Sequence, residues 1–253
     1  MEDQMSGSDS DTSSRSTSYV LVVDSDPPSL VALSRILQRL DYHVCTSGTA
    51  EEALAMMKVS VPYLVITDMS LSGMNGFELI QYIKQDPATA GVPVIVKTGQ
   101  LTPALDQLCR QAGAEACVQR PVQAEDLFRK IQAAIEPKPR SHIRISTLLP
   151  VCVNDRPLDL GEGEYASMLS ANGMYIRTQN PDAVKMKVRV QLTLPTRTVS
   201  AEAKVVYSHT DGQGPYGGPG MGLFFVQITP EDQDYIRNYV NAEVMKGIDP
   251  GWT

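Results

Sequence analysis

LVITDMSLSGMNGFEL, residues 64–79, opens with an apolar, β-branched run, closes that run on the carboxylate of Asp68, and then breaks into serine and glycine. A run without polar alternation has no face to offer water, so it reads as a strand covered on both sides. Four runs of similar texture surround it: YVLVV (19–23), YHVCT (42–46), PVIVK (93–97) and EACVQ (115–119). Segments of helical periodicity separate the runs. The first begins near Pro27 and Pro28, which suit a helix start, and places Leu30, Leu33, Leu37 and Leu40 on one face. The second opens with Thr49-Ala-Glu-Glu52, the spacing of a capping box. The last carries Leu127, Ile131 and Ile135 at four-residue intervals. Regular alternation of strand and helix predicts a parallel sheet with helices on both faces, and such a sheet binds ligands beyond the carboxyl ends of its strands.

Those ends carry chemistry. Asp24 and Asp26 follow the first strand, Asp68 the third, Thr98 the fourth and Arg120 the fifth. In a sheet ordered 2-1-3-4-5 these ends converge on one pocket. Any one aspartate at a strand end is ordinarily a turn former or a helix cap. Together, the residue types suit phosphoryl transfer to a carboxylate. Carboxylates hold a hard Mg²⁺ ion, one of them acts as nucleophile, and a hydroxyl and a fixed cation stabilise the phosphoryl oxygens.

VLVVDSDPPSL, LVITDMSLSGMNGFEL, PVIVKTG and AGAEACVQRP resemble the corresponding segments of two-component receiver domains, across residues 19–136. The resemblance implies a flavodoxin-like (βα)5 fold, with Asp68 as phosphoacceptor, Asp24 as first metal-binding acid and Thr98 as switch hydroxyl. Met74, Gly76 and Glu78 match the loop and helix after the acceptor. It also implies Mg²⁺ as cofactor and a sensor histidine kinase as partner. The sequence departs from the family where a second acid is usual, which is Ser25 here, with Asp26 one residue later. The family's lysine before proline is Arg120, whose planar fork does not simply replace an ammonium. Cys117 stands where an aromatic usually reports the switch. Lys97 lies close enough in sequence to compensate for the altered cation.

After Ile135 the text becomes the proline-broken basic linker EPKPRSHIR, with residues 137–145 joining the two halves. Beyond it, over 146–248, the period changes to two. Val188, Val190, Leu192 and Leu194 alternate with polar residues, as do Val199, Ala201, Ala203, Val205 and Tyr207. Asn172-Gly173, Leu194-Pro195 and the glycine-rich 211–220 punctuate these runs, predicting a small antiparallel barrel or sandwich. A closing helix follows Thr229-Pro230, with Ile236, Val240 and Val244 on its apolar face. GQGPYG (212–217) spells GxGxxG but opens no helix and contains Pro215, so it reads as a hairpin loop rather than a phosphate loop.

The order Arg140-Ser-His-Ile-Arg144, Ser170-Ala-Asn-Gly173, LTLP, AKVVY and GMGLFF resembles a PilZ domain with a C-terminal helix. The resemblance implies cyclic di-GMP as ligand. Arg140, Arg144, Ser170 and Gly173 match its binding residues. Guanidinium forks suit phosphates and the edge of guanine. The family's acid is Met168 here, and Asn172 is the nearest substitute amide.

Bulk properties narrow the classes. The chain has 253 residues, 42% hydrophobic and 20% charged, which fits a globular protein of two ordinary domains. Residues 1–18 are polar and serine-rich and read as a disordered tail, with no secretory signal. No run approaches the length needed to cross a bilayer, so a cytoplasmic location without membrane insertion is expected. A net charge of -7 argues against DNA as a partner. Cys45, Cys109, Cys117 and Cys152 lack metal-site spacing and read as buried structural thiols. No nucleophile–base–orienter triad marks an enzyme. The expectation is a response regulator phosphorylated on Asp68 whose output is binding, to a downstream protein or to a second copy of itself. In the resembled families such modules govern motility, attachment and exopolysaccharide output. The alternative is a scaffold that uses both degenerate domains only for docking.

Overall fold

The three central runs of the N-terminal half are buried at every position, as their lack of a polar face requires: β1 (Val20–Val23), β3 (Leu64–Asp68) and β4 (Val94–Thr98). The computed structural model describes residues 19–210 and 218–248. The expected tail at 1–18 and the GxGxxG loop at 212–217 lie outside the described residues. The described chain forms two compact units that meet in sequence at Arg140 and Ser141.

In the first unit β2 (Val44–Ser47) and β5 (Ala116–Gln119) complete an all-parallel sheet of order β2-β1-β3-β4-β5. The crossovers are α1 (Pro27–Arg39), α2 (Ala50–Val59), α3 (Gly76–Gln85) and α4 (Pro103–Ala112), and α5 (Ala124–Ile135) ends the unit. This is the parallel sheet that the alternation predicted, in the flavodoxin-like arrangement that the resemblance implied. Helix starts follow local chemistry. Asp26 caps α1 by accepting from the Ser29 amide at 3.2 Å. Thr49 caps α2, but the expected reciprocal box is only half formed: the Glu52 carboxylate reaches back to the Gly48 amide and the Ser47 hydroxyl instead. The complete box belongs to α3, where Asn75 and Glu78 satisfy each other's amides at 3.0 and 2.8 Å. On α1 the buried face is Ser29, Ala32, Leu33, Ile36 and Leu37, with Leu30 only half-buried. A polar Ser29 in that apolar stripe matters below. Of the four cysteines, Cys109 and Cys117 are buried as expected, whereas Cys45 and Cys152 are partly exposed. Burial first, then the neighbouring Cys109, pushes the Cys117 thiol up, so it stays neutral.

The second unit is antiparallel. Its strands are β6 (Ile145–Leu149), β7 (Val151–Val153), β8 (Arg156–Pro157), β9 (Tyr165–Ser170), β10 (Gly173–Arg177), β11 (Lys187–Thr193), β12 (Thr198–His209) and β13 (Gly220–Gln227). They run in the order β6-β9-β10-β13-β12-β11-β7-β8. β6 and β7 are separated by Pro150 alone, yet β6 pairs with β9 near one edge and β7 with β11 near the other. One bent segment thus ties the two edges together and curls the sheet toward a barrel. Strict alternation along β11 buries Val188, Val190 and Leu192 and exposes the residues between. α6 (Pro230–Met245), capped by Thr229, buries Ile236, Val240 and Val244 as predicted.

Two glycines are fixed by close approach. A Cβ on Gly173 would lie 2.1 Å from the Leu223 carbonyl oxygen, and one on Gly222 would lie 2.2 Å from the Tyr207 ring. Tyr207 in turn stacks on Tyr175 with centroids 5.9 Å apart. No helix among the described residues is long and apolar enough to cross a membrane.

Candidate functional site

Register decides what shares the end of the parallel sheet. Val23 is level with Thr67 across β1 and β3, so Asp24 is level with Asp68. Asp68 is in turn level with Lys97 across β3 and β4. Side chains at one level of neighbouring strands leave the same face. Asp24, Asp68 and Lys97 therefore form one row over three adjacent strands.

The row is nearly dry: Lys97 is 2% exposed, and Asp24 and Asp68 are 3% each. The Lys97 ammonium is hydrogen-bonded to Asp24 Oδ2 and to Ser29 Oγ, and lies 3.4 Å from Asp68 Oδ2. Ser29 Oγ donates to the same Asp24 oxygen at 2.6 Å, while Asp24 Oδ1 accepts from the Asp26 amide at 2.9 Å. Burial on its own would raise the Asp24 pKa, but the bonds from Lys97, Ser29 and the Asp26 amide outweigh it and hold the carboxyl below its ordinary value. Asp68 Oδ1 accepts from the Ser70 amide at 2.8 Å. Its other oxygen, Oδ2, is buried and has no hydrogen-bond partner among the described residues.

Arg120 approaches the same oxygen from the outside. Its Nη1 lies 3.6 Å from Asp68 Oδ2, its side chain is 40% exposed, and it passes over Gly99, where a Cβ would sit 3.3 Å from the guanidinium. Thr98 lies one residue beyond the row, and its hydroxyl donates to the Gln100 carbonyl at 3.2 Å, not to Asp68. One expectation needs correction. Asp26 is a helix cap, its carboxylate engaged by the Ser29 amide, and not a third acid facing the row. Ser25, in place of the second acid, is a strut: its hydroxyl donates to the Gly48 carbonyl at 3.3 Å and accepts from the Ser72 amide at 2.8 Å. Ser29 was missed altogether. The signal was present, since it is the one hydroxyl on the buried stripe of α1.

A hard dication takes oxygen ligands and keeps several waters. Here the space between the two carboxylates is taken by an ammonium, and no cluster of three acidic, histidine or cysteine side chains with metal-site spacing occurs among the described residues. The residues as they stand do not fit Mg²⁺.

The residues singled out in the second half have partners of their own. Ser170 is buried and its hydroxyl donates to the Gly173 carbonyl at 3.0 Å, across a hairpin whose turn residues are Ala171 and Asn172. Asn172 Oδ1 accepts from Gln233 of α6 at 2.9 Å. Gly173 is required by Leu223, so its lack of a side chain has a cause inside the fold. Met168 is half-buried, with its sulfur against the Ser146 hydroxyl at 3.5 Å. Arg140 and Arg144 are both exposed, and neither forms an ion pair with a described residue; Arg140 ends the first unit and Arg144 precedes β6 in the second.

The family model for the response regulator receiver domain matches residues 20–132, and that for the PilZ domain matches residues 138–242. The two-component response regulator ORR6 of Oryza sativa subsp. japonica is 30% identical over 118 residues, which are 46% of this chain and 69% of ORR6. Protein PilH of Pseudomonas aeruginosa is 25% identical over 116 residues, 46% of this chain and 96% of PilH. Among solved structures, the chemotaxis protein CheY4 of Vibrio cholerae is 25% identical, with the match covering 47% of this chain and 98% of that one at a TM-score of 0.45.

Asp24→Asn keeps the shape of the side chain but removes the nearest counter-charge of a buried ammonium, at an expected cost of about 3–5 kcal/mol at neutral pH. The stabilisation that Asp24 gives the wild type is complete above the ordinary carboxyl pKa and is lost as pH falls through its lowered value. Urea denaturation of both proteins at neutral and acidic pH should show the gap closing in acid. A gap that is constant or widens there contradicts the assignment.

Proposed function

Because this chain belongs to the response regulator receiver family and carries a PilZ domain behind its receiver domain, we propose that it is a two-component response regulator in which Asp68 accepts a phosphoryl group from a sensor histidine kinase. The observation that carries this reading is the Asp68 oxygen that is free of hydrogen bonds and faced by two cations, Lys97 and Arg120. A carboxylate oxygen with its lone pairs uncommitted is a competent nucleophile. Asp68 Oδ2 forms the bond to phosphorus as the phosphorus–nitrogen bond of the donor phosphohistidine breaks. The imidazole leaves with that electron pair and is protonated from solvent. Arg120, being half in water, can swing aside to admit the donor and return onto the new phosphoryl oxygens. Lys97 stays where it is, offsetting charge from beneath. No step is assigned to a divalent ion. Thr98 is the switch residue in this reading: a phosphoryl group on Asp68 gives its hydroxyl a stronger acceptor than the Gln100 carbonyl.

Incubating the full chain with phosphoramidate and following intact mass tests this directly. One phosphoryl adduct, stable in acid, labile in base and absent from Asp68→Asn, is expected. An unmodified mass, or an adduct that persists in Asp68→Asn, removes Asp68 as acceptor.

For the PilZ half, we propose residues 146–248 as the output module, joined by 137–145, with cyclic di-GMP as the ligand of the exposed Arg140 and Arg144. Output then passes through contacts with a downstream protein, without enzymatic activity and without DNA. A second reading, a docking module that works without the dinucleotide, is favoured by one set of contacts: Ser170, Asn172 and Gly173 are already engaged within the hairpin and α6, and Met168 offers no acceptor for guanine. Losing one bidentate base contact costs about 1–3 kcal/mol, or roughly ten- to over a hundred-fold in affinity. Calorimetry with cyclic di-GMP should therefore give weak, micromolar binding that Arg144→Ala abolishes. No heat in the wild type leaves the second reading.

A further inference from the structure

We propose that the Lys97 ammonium is the resident cation of the receiver pocket, standing in for a divalent metal ion rather than assisting one. The proposal concerns the pocket alone and holds whether or not Asp68 is ever phosphorylated.

The first argument is coordination. An ammonium has three donors and no acceptor. Lys97 Nζ is surrounded by three oxygens from three separate elements: Asp24 Oδ2 after β1, Ser29 Oγ from α1 and Asp68 Oδ2 at the end of β3. Two of these accept hydrogen bonds from the ammonium, and the third, Asp68 Oδ2, is its ion-pair partner. Ser29 serves this arrangement on both sides, accepting from Lys97 and donating to Asp24. Its place on the otherwise apolar face of α1 has no other occupation in the structure.

The second argument is confinement. Lysine ordinarily keeps its head in water, running its stem along the surface, and is almost never fully buried unless paired. Lys97 springs from an interior strand, between β3 and β5, in a run buried at every position. At 2% exposure the residue is almost wholly out of contact with water. A metal ion binding between Asp24 and Asp68 would need this head to move away and give up its bonds to Asp24 and Ser29.

The third argument is charge. Asp24 and Asp68 are matched by Lys97 inside and Arg120 at the mouth. Adding a dication to a pocket already balanced leaves two positive charges in excess at short range, where little water is present to screen them. Removing Lys97 reverses this. The pocket then holds two buried carboxylates with one partly exposed guanidinium at the mouth, beside Asp68 only, and a hard dication with its waters becomes a fitting occupant.

The consequence is a receiver pocket whose cation is encoded in the chain and does not exchange. Its electrostatics would be independent of the concentration of free divalent ions.

The test uses the full chain and its Lys97→Met variant, which keeps the length of the stem and loses the charge. Thermal unfolding is followed in chelator and in millimolar MgCl₂, with ionic strength matched by NaCl. The wild-type midpoint should be the same in both. Lys97→Met should unfold on the order of 10 °C lower in chelator, as expected for a buried charge left without its partner, and should recover most of that loss in magnesium. Adding Asp24→Asn to Lys97→Met should abolish the recovery, which locates the ion. In parallel, Mn²⁺ is titrated into the wild type and its free signal read by electron paramagnetic resonance; no uptake is expected. The proposal is overturned by Mn²⁺ uptake in the wild type that Asp24→Asn removes, or by a folded Lys97→Met that ignores magnesium. Should Lys97→Met not fold in either buffer, the wild-type Mn²⁺ titration decides alone. None of these readouts depends on phosphoryl transfer.

Discussion

Removing Asp24 and Asp68 from water side by side would be prohibitive if nothing stood between them, because each buried charge costs several kcal/mol and like charges at neighbouring strand ends add to that. Lys97 offsets both penalties at one point. Its stem fills space inside the sheet, and its head neutralises the pair from within. The rest of the pocket follows from this contact. Ser29 orients it, the Asp26 amide holds the far oxygen of Asp24, and Ser70 holds one oxygen of Asp68. What is left over is an acid oxygen, Asp68 Oδ2, that faces cations and has no hydrogen bond among the described residues.

The fold supplies the alignment. Parallel strands β1, β3 and β4 end together, so residues close to the ends of three runs far apart in sequence meet at one level. The struts around them are hydrogen bonds of ordinary length from loop residues, among them Ser25, which links the loop after β1 to that after β3. Replacing an acid by a serine at this place removes a charge and adds a fastening. Together with the lysine on β4 and the arginine at the mouth, it redistributes the charges of the pocket without changing the sheet that presents them.

Much of this was legible in the sequence, for a physical reason. Runs buried on both faces announce a parallel sheet, and polar residues at the ends of such runs are placed by the sheet itself, so Asp24, Asp68 and Arg120 could be assembled from spacing alone. Lys97 could be noticed but not placed, because its direction depends on the register between β3 and β4, which is a property of hydrogen bonding between strands. Asp26 misled for a related reason: a cap and a ligand are the same residue type one position apart. In the second unit the hairpin residues Ser170 and Gly173 carry a motif, yet the partners that explain them, Gly173's own carbonyl and the Leu223 carbonyl, come from hydrogen-bonded pairing that no local pattern reveals. The glycine of Gly222 similarly answers to Tyr207 on the neighbouring strand.

The occupant of the space between Asp24 and Asp68 sets the electrostatics of the whole pocket. A crystal structure of the full chain grown from millimolar magnesium would show it directly. The prediction is continuous side-chain density placing the Lys97 nitrogen against Asp24 and Ser29, with no octahedral metal beside it. A magnesium ion held by Asp24 and Asp68, with Lys97 turned away, would contradict it.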